Sequence, residues 1–139
     1  MDYVFDASFV GALVISDEKN IQTDHLYKKI KNEDDKYSPN IIWYEISNIF
    51  RNLVRQKRFT PDETSLLFPM VANIGIITDC KMGINYSKIL WDLGNKYNLS
   101  AYDAAYLELA ERKNAVLCTL DDNLLEAAKK HCVKIITAS

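Results

Sequence analysis

Tyr3-Val4-Phe5-Asp6-Ala7-Ser8-Phe9-Val10-Gly11-Ala12-Leu13-Val14 decides how the chain is built. Three β-prone residues end at an acid and run into an apolar segment of helical character, so the unit reads as strand, acidic turn, helix. Near the other end, Ala115-Val116-Leu117-Cys118-Thr119-Leu120, then Asp121-Asp122-Asn123 and a helix over 124–130, has the same order. Short apolar runs at 74–78 and 133–136 supply further strands. Helices are expected over 18–31, 40–58, 61–72, 85–97 and 99–112, the one at 61–72 opened by a Thr60-Pro61-Asp62-Glu63 capping box. Alternation of helices with short apolar strands implies an α/β/α sandwich around a short, mainly parallel sheet surrounded by helices. In such a sheet Asp6 and Asp121 share the carboxyl-terminal edge, where open α/β folds place their ligand crevices.

At 139 residues the chain has the size of one domain, 1–139, with one compact core expected. Hydrophobic residues make up 48% and charged residues 26%, with four Gly and three Pro, which excludes a low-complexity or collagen-like chain. The apolar run at 7–15 follows two acids where a secretory signal would carry positive charge, and no stretch approaches the ~20 residues of a membrane span. The reading is therefore cytoplasmic. Cys80, Cys118 and Cys132 are too widely spaced for a zinc knuckle and are expected as reduced core residues. His25 and His131 lack a second ligand at metal spacing and read as surface or satisfied structural residues. A net charge of −2 argues against a protein that coats nucleic acid by bulk charge.

Asp103 is an acid in the wrong place. On the helix expected at 99–112, Leu109, Tyr102, Tyr106, Ala110 and Leu107 form an apolar stripe that contains Asp103, while Glu108, Glu111 and Arg112 point the other way. No Lys or Arg lies three or four residues from it, so its carboxylate needs a partner from elsewhere. Ser100-x-x-Asp103 is also a capping-box pattern, which explains the acid locally. Glu45 poses the same question on the flank of the Ile42, Ile46, Ile49, Phe50, Leu53 face, since the position four residues on is Ile49. Asp6 suits an N-cap. Either Asp121 or Asp122 suits the cap of the last helix, which leaves one acid surplus.

Each acid has a local explanation, but one shared cause accounts for Asp6, Glu45, Asp103 and Asp121 together. Four carboxylates in one crevice repel unless cations neutralise them. Hard oxygen ligands in that number suit Mg2+ or Mn2+. Such a site does phosphoryl chemistry, with metal-activated water attacking phosphorus in line. No Ser-His or Cys-His pair offers a covalent route.

Four segments, Tyr3-Val4-Phe5-Asp6-Ala7-Ser8, Ser38-Pro39 to Glu45-Ile46-Ser47-Asn48, Leu99-Ser100-Ala101-Tyr102-Asp103-Ala104-Ala105-Tyr106-Leu107 and Leu117-Cys118-Thr119-Leu120-Asp121, resemble in order and spacing the motifs of PIN-domain ribonucleases, most closely the single-domain VapC-type toxins of toxin–antitoxin pairs. The resemblance implies that Asp6, Glu45, Asp103 and Asp121 are the metal-binding and catalytic quartet and that Thr119 supports it. It further implies a Mg2+- or Mn2+-dependent endoribonuclease that acts as a homodimer on structured RNA such as tRNA or ribosomal loops, and that is inhibited by a VapB-like antitoxin. The alternative is a PIN-like module that holds RNA or protein without cutting. Arg51, Arg55 and Lys57, at the end of the second long helix, suit either phosphate contact or the helix dipole.

Overall fold

The computed structural model describes residues 1–15 and 21–136. Strands β1 (Tyr3–Phe5), β2 (Lys36–Pro39), β3 (Ile77–Asp79) and β4 (Val116–Cys118) form a sheet of order β3-β2-β1-β4, all pairs parallel. Helices α1 (Ala7–Val14) and α2 (Ile21–Lys28) join β1 to β2. Helices α3 (Ile41–Arg55), α4 (Pro61–Ser65) and α5 (Leu67–Ile74) join β2 to β3, and α6 (Ile84–Tyr97) and α7 (Ala101–Lys113) join β3 to β4. Helix α8 (Asp122–Lys130) follows the last strand.

This order makes β1 the switch point. The first two crossovers step from β1 outward to β3, and the third returns across the sheet to β4. Because parallel crossovers are right-handed, reversing direction moves the helices to the opposite face. The packing agrees: α1 meets α2, α3 and α5, whereas α7 meets α6 and α8. The crevice of an open α/β sheet opens between the strands where the direction reverses, here β1 and β4. Asp6 follows one of them and Thr119-Leu120-Asp121 the other.

The core fills both faces. Val4, Phe5, Phe9, Val10, Ile42, Leu107, Leu109, Leu117 and Leu124 are fully buried. Strand β2 has no apolar run and is absent from the sequence reading. Its Lys36 and Ser38 are buried, with Ser38 Oγ donating to the Phe5 carbonyl at 2.6 Å. Pairing on both sides makes it a strand; its side chains alone would not.

Other boundaries shift for local reasons. The helix expected at 61–72 breaks at Leu66, because Pro69 has no N–H for the Ser65 carbonyl and its ring crowds that oxygen. The strand expected at 74–78 begins at Ile77; α5 runs to Ile74 and ends on Gly75 at φ 77°. Residues 133–136 contribute only a bridge between Leu117 and Ile135. The helix expected at 18–31 ends at Lys28, and its start lies outside the described residues. Cys118 is buried as expected, but Cys80 and Cys132 are exposed. His131 is structural but only half satisfied: its Nδ1 meets Tyr97 Oη at 2.6 Å, while its buried Nε2 lies 2.5 Å from Glu111 without hydrogen-bond geometry.

Helix α7 corrects the amphipathic reading most. All of 104–110 is buried, while Tyr102 is 58% exposed. Packed against α6, α8 and three strands, α7 has no solvent face along its middle. Glu108, expected outward, is 4% exposed. Arg112 Nε donates to it at 2.9 Å, and Arg112 Nη2 donates to Asp79 at 2.7 Å, tying α7 to the end of β3. Lys81 Nζ stands 3.8 Å from Glu108.

Removing Arg112 leaves a buried carboxylate short of a partner. Arg112→Met should cost about 2 kcal/mol in denaturant unfolding, less than the ~3–5 of a fully buried pair because Lys81 remains nearby. Glu108→Leu with Arg112→Met should regain most of that loss. The hydrogen bonds from Arg112 hold the Asp79 carboxyl below its usual range. The stability this confers is present in full above the ordinary Asp pKa of ~3.9 and fades as pH falls through the lower folded value, so that share of the gap should close in acid.

Candidate active site

A cavity of about 350 Å³ opens at the carboxyl end of the sheet beside β1, lined by Asp6, Ser8, Glu45, Asn48, Asn52, Asp103, Tyr106 and Asp121 along with Ala7 and Ile49. Four separate elements therefore deliver the four acids: the β1–α1 turn, α3, α7 and the β4–α8 turn.

Asp6 is the innermost, 5% exposed. Its Oδ1 accepts from the Phe9 N–H at 2.9 Å and from Ser8 Oγ at 2.7 Å, and its Oδ2 accepts a short hydrogen bond from Thr119 Oγ1. Ser8 Oγ accepts from the Leu120 N–H and Thr119 Oγ1 from the Asp121 N–H, each at 3.0 Å. The hydroxyls thus lace the β1–α1 turn to the β4–α8 turn around one carboxylate. Burial nonetheless pushes the Asp6 carboxyl up to about 6, with these three hydrogen bonds opposing and the charge of Glu45 adding to the rise.

Glu45 is held by Tyr106, whose Oη donates to Oε1 at 2.6 Å. The Tyr106 ring is 1% exposed, and its hydroxyl is kept protonated first by burial and then by Glu45. Burial raises the Glu45 carboxyl, and the charge of Asp103 raises it further. Asp103 is raised by burial and by the charge of Asp121. The backbone N–H of Asp103 donates to Ser100 Oγ at 3.1 Å, which caps α7. Among the described residues the reciprocal backbone bond that completes the box at Thr60 and Glu63 is absent at Ser100; the Asp103 carboxylate keeps a side-chain hydrogen bond with Ser100, which opposes its rise, and also lines the cavity. Asp121 Oδ1 accepts from the Leu124 N–H at 2.8 Å and caps α8.

Capping and cavity therefore coexist: Asp6 and Asp121 do both, and Asp122, exposed in the first turn of α8, is the surplus acid. The acids form a chain of like charges, Asp6 with Glu45, Glu45 with Asp103, Asp103 with Asp121. The polar donors facing the cavity are oxygens and side-chain amides, the ligand set of a hard divalent cation. Among the described residues no three acids, His or Cys converge as a ready-made cage.

All four expected acids meet here. Arg51, Arg55 and Lys57 lie outside the cavity wall, although Arg55 Nη1 donates to Asn52 Oδ1 at 3.2 Å. Asn52, Asn48, Ser8 and Tyr106 are additional. Asn48 and Asn52 stand three and seven residues after Glu45, the spacing of one helical face, which is the signal that finds them.

A family model described as PIN domain matches residues 3–130. The chain is 28% identical over 129 residues to Ribonuclease VapC3 of Pyrobaculum aerophilum, across 91% of this chain and 94% of that protein. Its fold is similar to that of a toxin–antitoxin complex from Klebsiella pneumoniae, with TM-score 0.66 and 12% identity over 99% of this chain and 98% of that one. It is also similar to Mycobacterium tuberculosis VapC20, described as a sarcin–ricin loop cleaving toxin, with TM-score 0.65 and 14% identity over 90% and 94% of the two chains.

Tyr106→Phe keeps the ring and removes the donor, leaving half-buried Glu45 without it. The variant should lose about 1–2 kcal/mol in chemical unfolding. In a Glu45→Leu background, which lacks the acceptor, the same change should cost clearly less, because the two residues share one hydrogen bond. Equal losses in both backgrounds would mean that the pair is not coupled.

Proposed function

The chain belongs to the PIN domain family, and from that premise we propose that it is a metal-dependent endoribonuclease, the toxin of a toxin–antitoxin pair, with Asp6, Glu45, Asp103 and Asp121 as its metal-binding and catalytic residues. The observation that carries this reading is the delivery of four carboxylates, from four elements, into one cavity at the switch point of a parallel sheet. A relative named as a ribonuclease and a shared fold with a toxin–antitoxin complex support it.

Mg2+ or Mn2+ in this cavity would lower the pKa of water and offset charge on the phosphoryl oxygens. The protein's own part is to present oxygens at fixed positions. Asp6 is braced by Ser8, Thr119 and the Phe9 N–H, so it meets a cation without reorganising. Tyr106 occupies one Glu45 oxygen and leaves the other to the cavity. Asp121 spends one oxygen on its helix cap. Asn48 and Asn52 present amides at the same wall, suited to phosphate or ribose oxygens. Ser8 is a brace and no nucleophile: its proton goes to Asp6, and its oxygen accepts from Leu120.

The remaining parts of the proposal follow the same reading. The substrate is structured RNA such as tRNA or a ribosomal loop, the inhibitor a VapB-like antitoxin, the working form a homodimer of single-domain chains, and the compartment the cytoplasm. No helix among the described residues is long and apolar enough to cross a membrane. A module that only held RNA or protein would gain nothing from four mutually repelling acids.

Purified protein should cut RNA with Mg2+ or Mn2+ and stop when EDTA is added. Asp6→Asn and Asp103→Asn should each slow the cut by ~100-fold or more, about 2.7 kcal/mol of barrier. Induced expression should arrest growth with discrete RNA fragments for the wild type alone. Undamaged RNA in both assays, from folded protein, would leave the binding module in its place.

A further inference from the structure

Helix α3 has three lengthwise faces. At 100° per residue, Ile42, Ile46, Phe50 and Leu53 fall on the buried arc, and Glu45, Ile49 and Asn52 on the adjoining arc that walls the cavity. Tyr44, Asn48, Arg51 and Arg55 occupy a third arc of about 60° next to the cavity wall. All four are exposed, Tyr44 by 65%. Their spacing of four, three and four residues lays them in a row of about 16 Å.

A groove of about 370 Å³ runs along one end of this row, lined by Trp43, Tyr44, Ser47 and Asn48. Asn48 lines both groove and cavity, so the two adjoin at that residue. Trp43 is anchored by its Nε1, which donates to Thr78 Oγ1 at 2.9 Å, and gives the groove a fixed wall. The far end of the row carries two guanidinium groups and no acid. One of them, on Arg55, reaches back to Asn52 on the cavity wall.

We propose that this row is the track for the single-stranded RNA that flanks the cut: phosphates on Arg51 and Arg55, Asn48 at the cavity mouth, and one base stacked on Tyr44 in the groove. The proposal rests on the ribonuclease reading above. An aromatic platform in line with cations is how proteins hold single-stranded nucleic acid without reading its sequence. A cavity of four carboxylates repels a polyanion, and cations on its rim offset that repulsion where the strand enters. A helix-end role in the dipole requires neither the groove nor its place beside the cavity.

The test is binding of a fluorescein-labelled single-stranded RNA of mixed sequence, by anisotropy at several salt concentrations with Mg2+ present, in an Asp103→Asn background that stops turnover. Arg51→Ala with Arg55→Ala should weaken binding about tenfold and reduce the slope of log K against log salt by about 1.4, from two phosphate contacts on a single strand. Tyr44→Ala should weaken it about tenfold with the slope unchanged, and Tyr44→Phe should restore it. Lys129→Ala with Lys130→Ala, the same charge change on α8, should leave both quantities near the parent values. Mn2+ titration calorimetry in the Asp103 form should give unaltered binding in the stripe variants. If the Asp103 protein cuts RNA but the stripe variants bind like the α8 control, the track is wrong and the ribonuclease stands. If that protein neither cuts nor binds RNA, both fall together. Stripe variants that keep full RNA affinity but lose capture by the cognate antitoxin would overturn the RNA track and assign this face to the protein partner.

Discussion

A single buried carboxylate organises this molecule. Asp6 ends the central strand, pairs the turn of β1 with the turn of β4 through Ser8 and Thr119, and caps the first helix, all with 5% of its surface exposed. Its three donors oppose the cost of burial without cancelling it, since the carboxyl still rises to about 6. Among the described residues no Lys or Arg lines this cavity, and Glu45, Asp103 and Asp121 add negative charge. A fold that serves only its own stability would replace such a group with an apolar or amide side chain. That charge is what the proposed divalent cation would balance.

The strand–acid–helix units at 3–14 and 115–130 are legible because both of their signals are local: a β-prone run buried on two faces, then an acid with a free helix terminus to cap. Topology follows from handedness once the strands are in place, and with it the shared edge of Asp6 and Asp121. Strand β2 is illegible for the opposite reason, since Lys36 and Ser38 are made strand residues by β1 and β3 on either side. Glu108 misleads a helical wheel because α7 is surrounded, so the face opposite the sheet is also interior and the acid is matched by Arg112 from one turn away. The Pro69 break lies within reach of sequence reading, because a proline that deep in a predicted helix takes a hydrogen bond with it.

The candidate site was harder to read than the fold in one respect. For Asp6 and Asp121 a cap and a cavity ligand look like rival explanations, and local pattern cannot choose. In the structure the two positions are compatible at Asp121, which lines the cavity while one of its two oxygens caps α8. Glu45 and Asp103 carried the sharper signal, an acid beside an apolar stripe with no partner at helical spacing. Tyr106 escapes because its hydroxyl finds Glu45 across sixty-one positions of sequence, a relation that only the tertiary fold creates.

Helix α3 shows how one element can meet three demands at once. The buried arc fixes its height and rotation against the sheet, which sets where Glu45 and Asn52 stand in the cavity wall. The same rotation then dictates which residues remain outside, and those are Tyr44, Asn48, Arg51 and Arg55. Sliding or turning the helix to improve one face would displace the other two, because its side chains are rigidly related by the backbone. The cluster of cations near its end therefore cannot be judged from helix-dipole arguments alone. Its position relative to the acids is set by the core, and that coupling places cations along the rim of a cavity whose own charge is negative.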